Sequence, residues 1–206
     1  MELLGIECAT ESCSVALFEQ GELVSGTAQV LGRGHAEALV PMIAALPGKG
    51  QADRIAVSLG PGSFTGLRVG LAAARALALA WHAELIGYST HALVAAMARA
   101  DAGAQDIGVA MTGGHGEWFV SRFDADGTMI LPPQSLPPAR AAELVDAEHV
   151  AGSQAEALVA LRGHGRALAL LPDARQLPLL SDAAFTTAVH LDYGRAPDAR
   201  LPGTPR

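Results

Sequence analysis

The stretch Ser58-Leu-Gly-Pro-Gly-Ser-Phe-Thr-Gly-Leu-Arg-Val-Gly70 decides how this chain folds. It follows the β-branched residues Ile55 and Val57 and leads into an alanine-rich segment that ends at Trp81. A strand, a glycine-rich turn and a helix in this order direct backbone N–H groups and the positive end of a helix toward one point. The pattern predicts an α/β protein and suggests, at first sight, a phosphate site.

Short strands precede this stretch, and strands alternate with helices around it. We predict strands at Leu3–Cys8, Cys13–Glu19, Glu22–Gln29, Arg54–Leu59 and Glu84–Gly87, and helices at His35–Leu46, Gly66–Trp81 and from Ser89 or Thr90 to about Arg99. The first three strands are joined by short turns, which favours an antiparallel meander. The first half is therefore a mixed sheet with helices packed on its faces.

The second half begins with the same pattern. We predict strands at Ile107–Thr112, Glu117–Phe123, Thr128–Leu131 and His149–Ala151, helices at Ala139–Asp146, Gln154–Leu161 and near Asp182–His190, a stiff connector at Pro132–Pro138, and a proline-rich tail. This order indicates an internal duplication of a βββαβα unit, with the second copy degenerate. We expect two subdomains, at residues 1–103 and 104–206.

Composition limits the classes of function. The chain has 206 residues, of which 50% are hydrophobic and 17% charged, so it can bury a sizeable core. Its net charge of -7 gives no global basic field that would attract nucleic acid. Cys8 and Cys13 match no zinc pattern and are expected to be buried in a cytoplasmic protein. The longest apolar run, Val69–Trp81, is interrupted by Arg75, so we expect no membrane span.

Two turns are weak candidates for nucleotide binding. Gly60-Pro-Gly62 is not a dinucleotide fingerprint, since Thr65 occupies the position of its third glycine, and no Gly-Lys-Ser/Thr follows as in a P-loop. It is either a generic anion-binding turn, using Gly60 and Gly62, or a tight turn in which glycine permits close packing. Thr10 and Ser12, after Glu7, resemble the first phosphate loop of actin-like ATPases, but an ordinary meander turn explains them equally.

Two helices are too apolar for a single buried face. In Gly66–Trp81 only two residues are charged, and His35–Leu46 also carries apolar residues around its whole axis. Their outer faces are therefore expected either to bind another protein or to be covered by the second half of the chain. The predicted partner-binding residues are His35, Leu39, Ile43, Arg68, Leu71, Ala74 and Arg75.

No catalytic or metal-binding constellation is predicted. The seven histidines form no H-E-x-x-H motif and no pair four residues apart, so the zinc and iron helix motifs are absent from the sequence. No serine lies in a G-x-S-x-G context.

Three segments resemble the TsaB family, also called YeaZ: residues 4–17, residues 34–41 with the motif Gly34-His-Ala-Glu37, and the glycine stretch 60–70. The resemblance is close over about residues 1–100. It is looser over residues 107–206, where Gly116-Glu117 and Tyr193-Gly-Arg-Ala-Pro-Asp198 are the matching points. It implies the duplicated actin-like fold of sugar kinases, Hsp70 and actin.

The resemblance also implies a function. Members of the family act in forming N6-threonylcarbamoyladenosine at position 37 of tRNA, as the non-catalytic partner of TsaD, a metal-containing paralogue, together with the ATPase TsaE. They associate through their first two helices, as homodimers or with TsaD. Because this chain is acidic, we expect it to contact tRNA only through the complex.

The metal histidines of TsaD align with Thr90 and Val94, so metal-dependent transfer by this chain alone is not expected. We expect no bound cofactor, with ATP and Mg2+ only in the complex. The alternative hypothesis is an actin-like phosphotransferase that uses the Glu7–Ser12 and Gly60–Thr65 turns. A metallopeptidase, suggested only by older naming, is remote because the ligands are missing.

Overall fold

Two β-sheets with helices on their faces form the protein in the computed structural model, which describes residues 1–103 and 105–194. The strands are β1 Glu2–Glu7, β2 Ser12–Glu19, β3 Glu22–Val30, β4 Arg54–Ser58, β5 Glu84–Tyr88, β6 Ile107–Thr112, β7 Trp118–Phe123, β8 Met129–Leu136, β9 His149–Ala151, β10 Arg166–Leu168 and β11 Phe185–Thr186. The α-helices are α1 His35–Ala44, α2 Phe64–Trp81, α3 Thr90–Ala102, α4 Pro138–Leu144 and α5 Ala155–Arg162.

The two sheets repeat one strand order. The first runs β11-β5-β4-β1-β2-β3 and the second β10-β9-β6-β7-β8. In each, three strands form an antiparallel meander. A fourth strand pairs in parallel with the first strand of the meander, and a fifth pairs in parallel with the fourth. Helices α1 and α2 make the crossovers of the first copy, and α4 and α5 those of the second. The predicted duplication is confirmed, and the second copy is shorter, since β9 and β10 have three residues each.

Three predictions about the second half were wrong. The segment Pro132–Pro138 is not a connector, because β8 continues through Pro132 and Pro133 to Leu136. This strand lies at the edge of the sheet, where the missing N–H of a proline is tolerated. Strand β10 was missed, as three residues give little periodicity. The helix near Asp182–His190 is only a 3-10 turn at Asp182–Ala184, followed by β11.

The segment after β10 returns to the first sheet. Strand β11 pairs antiparallel with β5, and the 3-10 helix Ala174–Leu179 packs on β1, β2 and β3. Val189 and Leu191 pack against the core beneath α1 and α2. The division at residues 103 and 104 stays a prediction, and the proline-rich tail from residue 195 lies outside the described residues.

Helix α2 is the one helix among the described residues with the length and composition of a membrane span. About 28% of this helix is buried in the protein. Core helices of soluble proteins meet the same criterion, and α2 packs on β4.

Candidate functional site

The inner face of α2 is defined by glycines that let the helix lie directly on strand β1. The Ser63 hydroxyl caps the helix by accepting the N–H of Gly66 at 3.3 Å. A Cβ atom on Gly66 would stand 2.0 Å from the carbonyl oxygen of Cys8. Gly70, one turn later, has its nearest neighbour at 3.4 Å. The close approach at Gly66 therefore requires glycine.

The opposite side of α2 is exposed and mostly small or apolar. Its outward residues recur at intervals of three or four positions, and Leu79 is 79% exposed. On α1, Val40 is 60% exposed. We call this surface the outer face; its members are Ala36, Val40 and Ala44 of α1 with Thr65, Ala72, Ala76, Leu79 and Ala80 of α2.

Most of the predicted partner-binding residues lie on the inner side instead. Apolar residues recur on both sides of α1 and α2, so the sequence pattern did not distinguish the buried side of each helix from the exposed side. His35, whose Nε2 lies 2.8 Å from the carbonyl oxygen of Thr10, is also buried. Within the described part of the chain, Leu39, Ile43, Leu71 and Ala74 belong to the hydrophobic core, with exposed fractions of 0%, 3%, 6% and 0%. Their role in partner binding stays a prediction, and the outer face consists of other residues.

Arg68 and Arg75 are exposed but already bound by the C-terminal segment. The guanidinium of Arg68 lies 3.7 Å from the ring centroid of Phe64, and its Nε donates to the Tyr193 hydroxyl at 3.1 Å. Arg75 donates to the carbonyl oxygen of Val189 at 3.2 Å. Residues 189–193 therefore cover one flank of α2. Within residues 105–194, the alternative in which the second half of the chain covers these helices holds for this flank and not for the outer face.

The glycine turn is packed against backbone on both sides. The Gly60–Pro61 peptide bond is cis, and Gly60 has a φ of 106°. A Cβ at Gly60 would stand 2.1 Å from the carbonyl oxygen of Asp192, and one at Gly62 would stand 2.1 Å from that of Ala9. Close packing explains both glycines, and carbonyl oxygens beside the turn disfavour a phosphate electrostatically.

Thr10 and Ser12 form part of the turn between β1 and β2. The Thr10 hydroxyl accepts the N–H of Ser12 at 3.2 Å, and both residues are buried. The Ser63 N–H donates to the carbonyl oxygen of Ala9 at 2.6 Å, which ties this turn to the glycine turn. The structure thus brings the two predicted nucleotide turns together. Nucleotide binding at Thr10, Ser12, Gly60 and Gly62 stays a prediction.

Glu7 lies fully buried at the end of β1. Its Oε1 accepts the N–H of Ala9 at 2.7 Å, and its Oε2 lies 3.5 Å from the Thr90 hydroxyl. Burial raises the pKa of Glu7 to about 7, and hydrogen bonds only partly offset this effect. A carboxyl group with this pKa is partly protonated near neutral pH.

His91 is buried at the start of α3. Its Nδ1 lies 2.8 Å from the Ser121 hydroxyl of β7, which joins α3 to the second sheet, and burial lowers its pKa to about 3. Among the residues that the structure describes, no group of three or more His, Cys, Asp or Glu side chains could hold a metal ion.

Comparisons with known proteins place this geometry in a family. Residues 28–176 match the family model described as TsaD: tRNA N6-adenosine threonylcarbamoyltransferase. The tRNA threonylcarbamoyladenosine biosynthesis protein TsaB of Escherichia coli is 34% identical over 131 residues, which are 61% of this chain and 56% of that protein. The TsaB of Haemophilus influenzae is 41% identical over 85 residues, 38% of this chain and 35% of that protein. The chain thus spans about half, or less, of the length of these relatives.

Among solved structures, YeaZ from Pseudomonas aeruginosa has a TM-score of 0.71 at 30% identity, covering 85% of this chain and 88% of that one. The ethanolamine utilization protein EutJ from Carboxydothermus hydrogenoformans has a TM-score of 0.51 at 13% identity, covering 87% of this chain and 88% of that one, and shows the fold alone. Two sheets with one repeated strand order define an actin-like protein, which confirms the predicted fold class. The chain belongs to the TsaD family and, within it, to the TsaB (YeaZ) group.

Proposed function

We propose that this protein is an accessory, non-catalytic subunit for N6-threonylcarbamoyladenosine synthesis in tRNA, which binds and supports a catalytic TsaD-like subunit. The observation that carries the proposal is the exposed apolar outer face of α1 and α2. Val40 and Leu79 lie on two helices that pack against each other, among small exposed residues, and an exposed apolar patch of this kind marks surfaces that bind other proteins. The names of the TsaB relatives supply the pathway.

A TsaD-like subunit is the proposed occupant because it is a paralogue with the same fold. Alanine at Ala72, Ala76 and Ala80 allows close approach of a second helix pair, and a specific interface of this kind buries about 1,000 Å2 or more. A TsaE-like ATPase joins the pair, and the chain forms a homodimer through the same face when it is alone. Contact with tRNA occurs through the complex, in the cytoplasm.

Co-purification with the TsaD of the same organism, followed by a tRNA modification assay, tests the proposal. We expect Ala76→Arg to abolish co-purification with TsaD and the modification of tRNA, because a bulky cation would stand in the middle of the outer face. Ala160→Arg on α5, another exposed helical alanine, is the matched control and should bind like the wild type. If Ala76→Arg binds as tightly as the control, the outer face is not the interface.

The phosphotransferase alternative is tested separately by calorimetry with ATP and Mg2+ on the isolated chain. We expect no tight binding, because carbonyl oxygens of Ala9 and Asp192 lie against the glycine turn. Tight binding accompanied by turnover would favour the alternative over the accessory role.

A further inference from the structure

The two cysteines face each other beneath α2. The antiparallel register of β1 and β2 pairs Ile6 with Val15 and Glu7 with Ser14. Continued by one position, it sets Cys8 directly opposite Cys13, and their Sγ atoms lie 3.4 Å apart. Both thiols are free, with exposed fractions of 0%. Residues directly opposite in antiparallel strands have the Cα separation that a disulfide needs.

We propose that Cys8 and Cys13 form an oxidative modification site, which closes to an intramolecular disulfide on reaction with a hydroperoxide such as hydrogen peroxide. This inference does not rest on the proposed function. It requires that a small peroxide reach the buried sulfurs and that the two sulfur atoms approach each other from their present separation of 3.4 Å.

The opposite pKa shifts of the two cysteines indicate which sulfur reacts with peroxide first. The hydrogen bond between the two sulfurs lowers the pKa of Cys13, whereas the same bond and burial raise the pKa of Cys8. Cys13 is therefore the thiolate that reacts first, and Cys8 supplies the second sulfur.

One peroxide oxidises the two thiols in two steps. The Cys13 thiolate attacks one peroxide oxygen, the O–O bond breaks, and the leaving hydroxide takes a proton to become water, which leaves a sulfenic acid on Cys13. The Cys8 sulfur then attacks the Cys13 sulfur, so that the S–S bond forms, the S–O bond breaks and a second water leaves. Two thiols are oxidised, and one peroxide is reduced to two waters.

The location of the pair connects it to α2. The Cys8 carbonyl oxygen lies against Gly66, and the Cys8 Cβ lies 3.4 Å from a Cβ position on Gly70. A bond between the sulfurs would fix the 8–13 turn on which α2 rests. Because both sulfurs are buried in the core beneath α2, a small neutral peroxide should react with the folded chain faster than a bulky aromatic disulfide reagent.

Peptide mapping of the wild-type chain tests the proposal directly. The folded protein is treated with hydrogen peroxide, quenched with catalase, alkylated in urea and cleaved after glutamate, which separates Cys8–Glu11 from Ser12–Glu19. We expect these two peptides to remain linked and to separate on reduction. Two alkylated thiols after peroxide treatment, or a link that forms only when urea is present during oxidation, would overturn the proposal.

Single variants test the order of the steps. Cys8→Ala should stop at a sulfenic acid on Cys13, which forms more slowly than in the wild type because the hydrogen bond to Cys8 is lost and which dimedone traps after the protein is unfolded in urea. Cys13→Ala should lose its remaining thiol about tenfold more slowly than the wild type. Equal rates of thiol loss in the wild type and Cys13→Ala would contradict the assignment of Cys13. Circular dichroism before oxidation establishes that each variant is folded, and the wild-type mapping is independent of them.

Discussion

At the scale of single residues, the end of β1 holds a carboxyl group that the fold keeps away from water. Glu7 has hydrogen-bond partners in Ala9 and Thr90, but its burial dominates and raises its pKa from 4.5 to about 7. In the unfolded chain it ionises at the lower value. Between these two pH values the folded state therefore binds more protons than the unfolded state, and stability falls as pH rises.

We expect Glu7→Gln to remove this pH dependence. Ionising Glu7 in the folded state costs about 3 kcal/mol, so the wild type should lose up to that much stability, relative to the variant, between pH 5 and pH 8. Urea denaturation of both proteins at each pH measures the difference. Glu19→Gln, at an exposed glutamate of β2, is the control and should behave as the wild type. A constant difference between wild type and Glu7→Gln across this range would contradict the raised pKa.

His91 produces the opposite slope. Burial lowers the pKa of His91 from 6.5 to about 3. Below pH 6.5 the unfolded chain therefore binds a proton that the folded chain does not, so the free energy of unfolding falls as pH falls toward 3. The comparison of Glu7→Gln with the wild type cancels this contribution, because both proteins contain His91.

At the scale of elements, the position of α2 depends on one of two glycines that lie one helical turn apart. Gly66 meets the Cys8 carbonyl oxygen, whereas Gly70 has ordinary contacts. The sequence suggested close packing or an anion site for the turn that precedes this helix, and the backbone contacts of Gly60 and Gly62 are those of close packing.

Matched alanine substitutions test this difference. We expect Gly66→Ala to destabilise the protein by about 2 kcal/mol or more, because the new methyl group would collide with backbone rather than with a flexible side chain. Gly70→Ala should be neutral or stabilise by up to about 1 kcal/mol, since alanine is the better helix former. Thermal unfolding of the two variants gives the comparison, and equal midpoints would show that α2 does not depend on the contact at Gly66.

At the scale of the whole molecule, the C-terminal segment belongs physically to the first sheet. It adds β11 beside β5 and contributes Val189 and Leu191 to the core beneath α1 and α2. Tyr193 and the carbonyl of Val189 then bind the two arginines of α2. The described part of the segment thus covers one flank of α2 and not the outer face.

Leu191→Ala should therefore destabilise the first half of the molecule. We expect a loss of about 1–2 kcal/mol in the free energy of unfolding, the cost of removing a partly buried leucine side chain. Leu161→Ala on α5, where the side chain is 54% exposed, is the control and should change stability by less than about 0.5 kcal/mol. Chemical denaturation measures both. No effect of Leu191→Ala would mean that the segment does not support the first sheet.

The sequence by itself determined the meander strands, the strand–turn–helix unit around Gly60 and the duplication, since these depend on local periodicity and turn residues. It also indicated that α1 and α2 are too apolar for one buried face. Only the tertiary structure decided which side is exposed: Leu39 and Ala74 point into the core, whereas Val40 and Ala76 do not. The return of β11 and the contact between Cys8 and Cys13 likewise depend on which strands and turns become neighbours. An apolar residue has the same affinity for the core on either side of such a helix, so only the packing of the rest of the chain distinguishes the two sides.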